Sequence, residues 1–262
     1  MVRRAPACLA AAVIVLLSLA SAASAAPTVR FKATAVPIAG YRGTGNIAGA
    51  GASIHAEYKI EGTEYAGGPA PLIGVKVFLP SGTEIHTGGF TTCPTSYISE
   101  EKEPNRCPRG SEAGPVGSVE GEVSIGSERV HEFATLRSFY APGGGLNFFT
   151  YGHSPTILEI PSTGRYTNVR GTGGKGPEFT ALVPLVESLP GAPDASVRVI
   201  NTIVGSAYRR HGRVYYYGTM PRNCLKNYLP IRTELTFAAL DGLAQTTVAA
   251  QYRAPCPKHS RR

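Results

Sequence analysis

Residues 152–156 contain a serine and a histidine that could support hydrolysis. Their sequence, GHSPT, has part of the pattern of a nucleophile elbow, in which a serine stands on a sharp turn between a strand and a helix. Thr156 stands where the elbow needs glycine, and Pro155 has no backbone N–H to donate to an oxyanion. Only Asp194 and Asp241 could orient a histidine through an aspartate. The segment is therefore predicted to be a loop without serine-hydrolase chemistry.

Residues 171–176 match the G-x-G-x-x-G pattern of dinucleotide-binding proteins. That pattern binds a pyrophosphate only when a strand precedes it and a helix follows it, because the helix N-terminus supplies the N–H donors. Here Pro177 and a β-like segment around Phe179 follow. The motif is therefore predicted to be a surface loop, and no cofactor is expected.

Metal-binding and carboxylate chemistry have only weak support. The six histidines show no paired metal spacing: His55, His86, His131, His153, His211 and His259. Calcium loops use aspartate at alternate positions, and aspartate is scarce here. Glu100, Glu101 and Glu103 could form a cation site or an acid/base pair, but a charged surface loop is the favoured interpretation. No metal is expected, and no pair of glutamates stands out as a glycosidase site.

Residues 206–217 are the best candidate for a binding site. They predict a hairpin that turns at His211-Gly212, with arginines near the tip and tyrosines on a shared face. The candidate ligand-binding residues are Arg209, Arg210, Arg213, Tyr215 and Tyr217. Arginine charge and aromatic area would suit a sugar or an anionic polymer. A scaffold hairpin, with its tyrosines half in the core and its arginines in water, is the favoured interpretation, and the absence of tryptophan counts against a carbohydrate-stacking module.

The elements that must position these residues are predicted to be short β-strands. The stretch from Val75 to Ser111 contains an alternating strand ended by Pro80, a turn, a second short strand and a polar loop expected to be solvated. Similar alternating segments recur along the chain, and 31 glycines and 21 prolines interrupt every candidate helix. This pattern predicts an antiparallel β-sandwich of jelly-roll or Ig-like type, with little or no helix outside the signal peptide.

Residues 1–25 have the organisation of a secretory signal peptide. Arg3 and Arg4 precede an apolar run from Ala7 to Ala20, and Ala23-Ser24-Ala25 forms an A-x-A cleavage site. The apolar run is short for a membrane span. We therefore expect export, and a secreted or envelope-associated protein without a transmembrane segment after cleavage.

Four cysteines remain after that cleavage: Cys93, Cys107, Cys224 and Cys256. An even number in an exported chain indicates two disulfides, and no C-x-x-C spacing supports zinc. Sequence alone allows three pairings. The two local closures, Cys93–Cys107 and Cys224–Cys256, are the favoured arrangement.

The expected mature chain has one sandwich domain over residues 26–257. Two packed β subdomains divided near residues 115–145 are an alternative, and residues 258–262 are expected to form a disordered basic tail. Loss of Arg3 and Arg4 lowers the formal net charge from +8 to +6. This charge suits an anionic envelope, and nucleic acid is an unlikely partner for an exported chain without a binding motif. The oligomeric state cannot be inferred.

The order of turn and cysteine motifs resembles uncharacterised secreted β-sandwich proteins of soil actinobacteria. The matching motifs are VFLPSGT (77–83), GFTTCP (89–94), CPRGS (107–111) with Gly114 and Gly117, Asn223-Cys224, Phe237, Asp241-Gly242 and Cys256. The resemblance implies export, an all-β fold and two disulfides, and it implies no catalytic residue. High alanine, glycine and arginine usage agrees with a GC-rich genome.

These observations together predict a secreted, disulfide-stabilised binding or structural module without an enzymatic site. It would act at the cell envelope or outside the cell, where an anionic envelope polymer or glycan is the possible partner. The alternative is a secreted polysaccharide-acting hydrolase whose carboxylates are unidentified.

Overall fold

The computed structural model describes residues 26–38, 50–170, 174–221, 228–240 and 244–256. The predicted signal peptide, the basic tail and Cys224 lie outside these residues. So do residues 171–173 of the glycine-rich motif and Asp241.

Strands dominate the described residues, which form fifteen strands and one short α-helix. The first eight strands are β1 (Thr28–Pro37), β2 (Ala52–Glu61), β3 (Leu72–Phe78), β4 (Glu84–Ile85), β5 (Gly117–Ile125), β6 (Glu128–Tyr140), β7 (Leu146–Ser154) and β8 (Leu158–Thr167). The remaining strands are β9 (Glu178–Leu182), β10 (Ser196–Val204), β11 (Ala207–Arg210), β12 (Arg213–Tyr216), β13 (Gly218–Thr219), β14 (Tyr228–Phe237) and β15 (Thr246–Pro255). Helix α1 covers Thr95–Ser99, and Pro104–Arg106 form a 3₁₀ turn. No helix in this part of the chain has the length and apolar character needed to cross a bilayer.

Eleven strands form a single antiparallel sheet in the order β1-β2-β10-β5-β6-β7-β8-β9-β3-β14-β15. The two outer strands, β1 and β15, lie against each other, so the sheet is nearly closed. The prediction of an all-β antiparallel fold with little helix is confirmed, and the opposing layers of the core are parts of one sheet. Strands β5 and β6, which span the predicted subdomain division, lie inside this sheet between β10 and β7.

Alternation along the strands explains which face is buried. In β1 the buried residues are Phe31, Ala33 and Ala35, with exposed residues between them. In β14 every second residue from Leu229 to Phe237 is buried. These strands pack across the interior into one apolar cluster, and each fully buried large aliphatic or aromatic side chain contributes about 1.5–3 kcal/mol.

The connections divide the molecule into two unlike ends. At the end we call the capped end, the long segments 79–116 and 205–221 cross over the sheet, and β4 pairs with β13 there. At the opposite end, which we call the turn end, the short β5–β6 and β7–β8 turns lie beside the connection 183–195.

The disulfide segment is more ordered than the sequence suggests. Cys93 and Cys107 are bonded, and the segment between them carries α1, whose Ile98 is fully buried against Phe139 and Phe149. One apolar side chain thus anchors the segment to the outer face of β6 and β7, while the polar run 99–105, which is expected to be solvated, is largely exposed. Cys256 is also disulfide-bonded, and its predicted partner, Cys224, lies outside the described residues.

Candidate functional site

The nearly closed sheet surrounds an apolar cavity of about 200 Å³. Nine strands, β2 to β10, contribute aliphatic or aromatic side chains to its wall. Representative lining residues are Ile54, Val77, Val119, Leu136, Phe148, Ile160 and Ile200. The residues of the wall that carry a hydroxyl group are Thr150, Ser162, Thr202 and the three tyrosines Tyr58, Tyr166 and Tyr217. This cavity is larger than a neighbouring space of about 30 Å³ that lies between β5, β6, β7 and β8.

Several wall residues keep accessible apolar surface even though they lie in the middle of strands and point inward. Val77, Phe148, Ile160 and Ile200 are only partly buried, whereas inward-facing Ile231 and Leu235 of β14 are fully buried. Protein interiors normally pack as densely as organic crystals, so inward-facing apolar surface that a solvent-sized sphere can reach marks unfilled space. The unfilled space borders the apolar cluster that contains the inward side chains of β1 and β14, and Ala52, Tyr58 and Leu72 belong to both.

A glycine on β8 makes room for an aromatic ring in the cavity wall. A Cβ atom at Gly164 would lie 2.2 Å from Cζ of Phe179, so the ring of Phe179 occupies the place of a side chain on β8. Tyr166 of β8 pairs directly with Phe179 of β9, and their ring centroids are 4.7 Å apart. Both rings therefore belong to the cavity wall near the capped end.

Three tyrosines form the end of the cavity under the cap. The ring centroids of Tyr140 and Tyr217 are 4.4 Å apart, and those of Tyr166 and Tyr217 are 6.1 Å apart. Phe90 packs edge-on against Tyr217 and continues the aromatic contacts towards the surface hairpin. Tyr166 and Tyr217 line the cavity itself.

The hydroxyl groups of these tyrosines differ in their hydrogen bonds. The hydroxyl of Tyr140 lies 2.7 Å from Oγ of Ser206, and the hydroxyl of Tyr217 donates to the carbonyl of Gly144 at 3.4 Å. The hydroxyl of Tyr166 has no hydrogen-bond partner among the residues that the structure describes. Burial raises the pKa of Tyr140 to about 12, and it also raises the pKa values of Tyr166 and Tyr217. All three groups are therefore neutral phenols at physiological pH, able to donate a hydrogen bond.

The predicted arginine hairpin forms, with its basic tip in solvent. β11 pairs with β12, and His211 and Gly212 make the turn with positive φ angles of 49° and 76°. Arg209, Arg210 and Arg213 are exposed. Within the described parts of the chain, their guanidinium groups have no ion pair or side-chain hydrogen bond.

The two tyrosines proposed for this site are separated by the structure. Tyr215 is 40 % exposed and stacks on Tyr208 across the hairpin, with a centroid distance of 5.0 Å and an interplanar angle of 10°. Tyr217 is only 2 % exposed and lies in the tyrosine cluster of the cavity. The prediction that both tyrosines share one face is wrong, because the chain bends after Tyr216 and leaves the alternation of β12.

The remaining candidates from the sequence are the glutamates of the 93–107 loop, the possible metal ligands and Ser154. Glu101 and Glu103 both form ion pairs with Arg106, as expected for a charged surface loop. In the part of the chain that the structure describes, no group of three or more histidine, cysteine, aspartate or glutamate residues could hold a metal ion. Residues 154–157 join β7 to β8, so no strand-to-helix turn forms around Ser154.

The cavity was not among the sites predicted from the sequence. Its wall residues are spread over strands that meet only through the strand order of the closed sheet, for example β10 between β2 and β5. Small residues at inward positions, such as Ala56 and Ser162, were the available signal of missing interior volume. That signal is weak without knowledge of the facing strands.

Comparison of the chain with protein-family models, with curated proteins and with solved structures finds no match. The resemblance to secreted actinobacterial proteins therefore stays a prediction.

Proposed function

We propose that the protein is an exported, disulfide-stabilised, non-catalytic binding protein that holds a small apolar molecule inside its sheet. The observation that carries this proposal is the cavity of about 200 Å³ with partly accessible aliphatic and aromatic walls. Apolar concave sites with a few polar groups are the usual form of small-molecule sites. The predicted signal peptide and the Cys93–Cys107 disulfide support the assignment to an exported protein.

The volume limits the size of the ligand. An apolar cavity of about 150 Å³ engineered into another protein binds benzene. A cavity of about 200 Å³ then suits a ligand of roughly six to ten carbon atoms. This is smaller than the sites of drug-sized molecules, which span about 300–1,000 Å³.

The chemistry of the wall supports binding without catalysis. Among the described lining residues there is no aspartate, glutamate, histidine, lysine or cysteine, and the polar groups are hydroxyls. General acid–base catalysis needs a titratable group within hydrogen-bond reach of the reacting atom. A polysaccharide hydrolase would also need two carboxylates beside its substrate, and no observation favours that alternative.

A tryptophan reporter tests the proposal, because the chain has no tryptophan of its own. Phe148→Trp places the reporter in the cavity wall, and Tyr151→Trp places it on the opposite face of the same strand. Titration with ethylbenzene should change the emission of the Phe148→Trp variant saturably and leave that of the Tyr151→Trp variant unchanged. Ethylbenzene should also raise the Tm of the wild type, since binding to the folded state stabilises it. No saturable response together with an unchanged Tm would overturn the proposal.

A second candidate function is the binding of an anionic envelope polymer at the hairpin tip. The observation that favours it is the group of three exposed guanidinium groups without side-chain partners in the described structure, beside the stacked pair Tyr208–Tyr215. This surface is separate from the cavity, so one molecule could use both. Salt-sensitive retention on a polyanion, weakened in Arg209→Ala/Arg210→Ala/Arg213→Ala, tests it.

A further inference from the structure

We infer that the ligand of the internal cavity is a neutral molecule with one oxygen acceptor, and that the hydroxyl of Tyr166 donates a hydrogen bond to that oxygen. The inference rests on the proposed function, because it names the chemical class of ligand for the same cavity. The volume and the apolar wall of the cavity limit only the size of the ligand. A hydrogen bond from Tyr166 adds a polar contact that selects the chemistry of the ligand.

The unequal hydrogen bonds of the three tyrosines carry the inference. Buried tyrosine hydroxyls normally find a partner, and a polar group that loses its water without one is destabilising. Tyr140 is satisfied by Ser206, and Tyr217 donates to Gly144. Tyr166 lines the cavity and has no such partner among the described residues, while its hydroxyl oxygen is accessible and not sealed in the core. A ligand atom in the cavity can therefore supply the missing acceptor.

The surroundings of Tyr166 determine the charge of that acceptor. No lysine, arginine or histidine is found among the described lining residues, so a carboxylate or phosphate placed there would be a buried charge without a counter-ion. Burial also raises the pKa of Tyr166, which keeps its phenol protonated and a donor. A carbonyl, ether or hydroxyl oxygen fits this environment.

The same geometry orients the ligand along the cavity. Tyr166 and Tyr217 stand near the capped end, whereas Ile160 and Thr150 lie towards the turn end of the sheet. The oxygen is therefore placed under the cap, and the hydrocarbon part of the molecule extends past Phe148 along the aliphatic wall. A short alkyl or aryl ketone is the simplest molecule of this class.

Acetophenone and ethylbenzene test the inference, because they have the same carbon skeleton and differ in one carbonyl oxygen. Their affinities would be measured from the methyl resonances of the isoleucines that line the cavity: Ile54, Ile85, Ile160 and Ile200. Tyr166→Phe should weaken the binding of acetophenone about tenfold, the size of one lost hydrogen bond, and leave the binding of ethylbenzene unchanged. Tyr151→Phe is the matched control. It removes a phenol hydroxyl from the outer face of β7, away from the cavity, so this variant should leave both affinities unchanged.

The possible outcomes distinguish a failure of the Tyr166 contact from a failure of the proposed function. If Tyr166→Phe changes the two affinities equally, the role of Tyr166 is overturned while the cavity remains a binding site. If benzoate binds as tightly as acetophenone, the assignment of a neutral ligand is overturned. If neither ethylbenzene nor acetophenone binds saturably to the wild type, the proposed function itself fails. Retained binding of ethylbenzene by Tyr166→Phe shows that the variant is folded.

Discussion

The buried carboxylate of Glu132 accepts a hydrogen bond from the backbone N–H of Ser154 at 3.0 Å and another from Thr156 at 3.1 Å. Glu132 lies on β6, and its two donors belong to the turn that joins β7 to β8. One side chain thus satisfies two backbone groups at the turn end of the sheet. These two hydrogen bonds hold the GHSPT segment in place, so its conformation does not require a catalytic role.

Replacing Glu132 should lower the free energy of unfolding by more than the loss of one exposed negative charge would. Glu132→Ala leaves two backbone donors without their acceptor, and we expect a loss of about 2–4 kcal/mol in the free energy of unfolding. Glu132→Gln keeps one acceptor oxygen and should lose about half as much. Urea unfolding measures both. Glu128→Ala, at an exposed position of the same strand, should change stability by less than about 0.5 kcal/mol; equal effects at the two sites would contradict the role assigned to Glu132.

The burial of Ile98 predicts that the disulfide segment stabilises the sheet through packing as well as through the covalent bond. Ile98→Ala should lower the free energy of unfolding by about 2–4 kcal/mol, because it opens a cavity against Phe139 and Phe149. The control is Ile157→Ala, since Ile157 is 70 % exposed and should matter little. Thermal and urea unfolding of both variants, with the disulfide intact, provide the comparison. A stability change below about 1 kcal/mol for Ile98→Ala would show that α1 is not anchored by this residue.

Strands with a regular alternation were predictable from sequence, because one face of each strand is buried in the core. The alternation from Val29 to Ala35 predicted β1, and the segments around residues 232–240 and 246–252 predicted the β14–β15 hairpin. The sequence predicts a strand over Ile157 to Ile160, directly before Pro161, which lacks a ladder donor. Strand β8 continues to Thr167 because β9 pairs with it only from Thr163 onward, so Pro161 stands where only β7 is a neighbour.

Features that depend on contacts between distant segments were not predictable in this way. Ile98 is a single apolar residue in a polar run, and its burial requires that Phe139 and Phe149 face outward on neighbouring strands. The cavity depends in the same way on which strands face each other across the closed sheet. Tyr217 continues the alternation of Tyr215 in sequence, yet a bend in the chain turns it into the interior. Local periodicity therefore predicted the strands but not the binding site.

Alkaline pH should unfold the protein through its buried phenols. Burial raises the pKa of Tyr58 and of Tyr140 to about 12, and it raises the pKa values of Tyr166 and Tyr217 as well. Between pH 10 and pH 12 the unfolded chain releases phenol protons that the folded chain retains, so the free energy of unfolding falls as the pH rises. Below pH 10 these groups are protonated in both states and do not affect the pH dependence.

Tyrosinate absorbance against pH measures this effect. In the native protein the phenols of Tyr58, Tyr140, Tyr166 and Tyr217 should ionise late or only on unfolding, whereas all thirteen tyrosines of the urea-unfolded chain should ionise near pH 10. Tyr166→Phe should remove one of the late-ionising groups. If the native and unfolded titration curves coincide below the unfolding transition, these tyrosines are not buried in the native protein.

The arginine tip of the β11–β12 hairpin predicts salt-sensitive binding to a polyanion. Arg209, Arg210 and Arg213 are exposed and have no side-chain partner in the described structure, so their guanidinium groups are free to form charge-assisted hydrogen bonds with phosphate or carboxylate groups. Tyr215 offers an exposed ring beside them, which is held by stacking on Tyr208. Exposed charges are screened over about 10 Å at 0.1 M salt, so the affinity should fall steeply as salt is added.

The triple variant Arg209→Ala/Arg210→Ala/Arg213→Ala tests this surface against immobilised poly(glycerol phosphate) wall polymer. Each exposed charge pair contributes about 0.2–1 kcal/mol, so loss of all three should weaken retention at low salt about tenfold. The matched control is Lys32→Ala/Arg109→Ala/Arg165→Ala, which removes the same charge from other exposed positions. If the two triple variants lose affinity equally, the attraction reflects net charge alone and the hairpin is scaffold. Because the cavity lies elsewhere in the fold, the hairpin variant should still bind ethylbenzene, which separates loss of the tip from loss of the folded sheet.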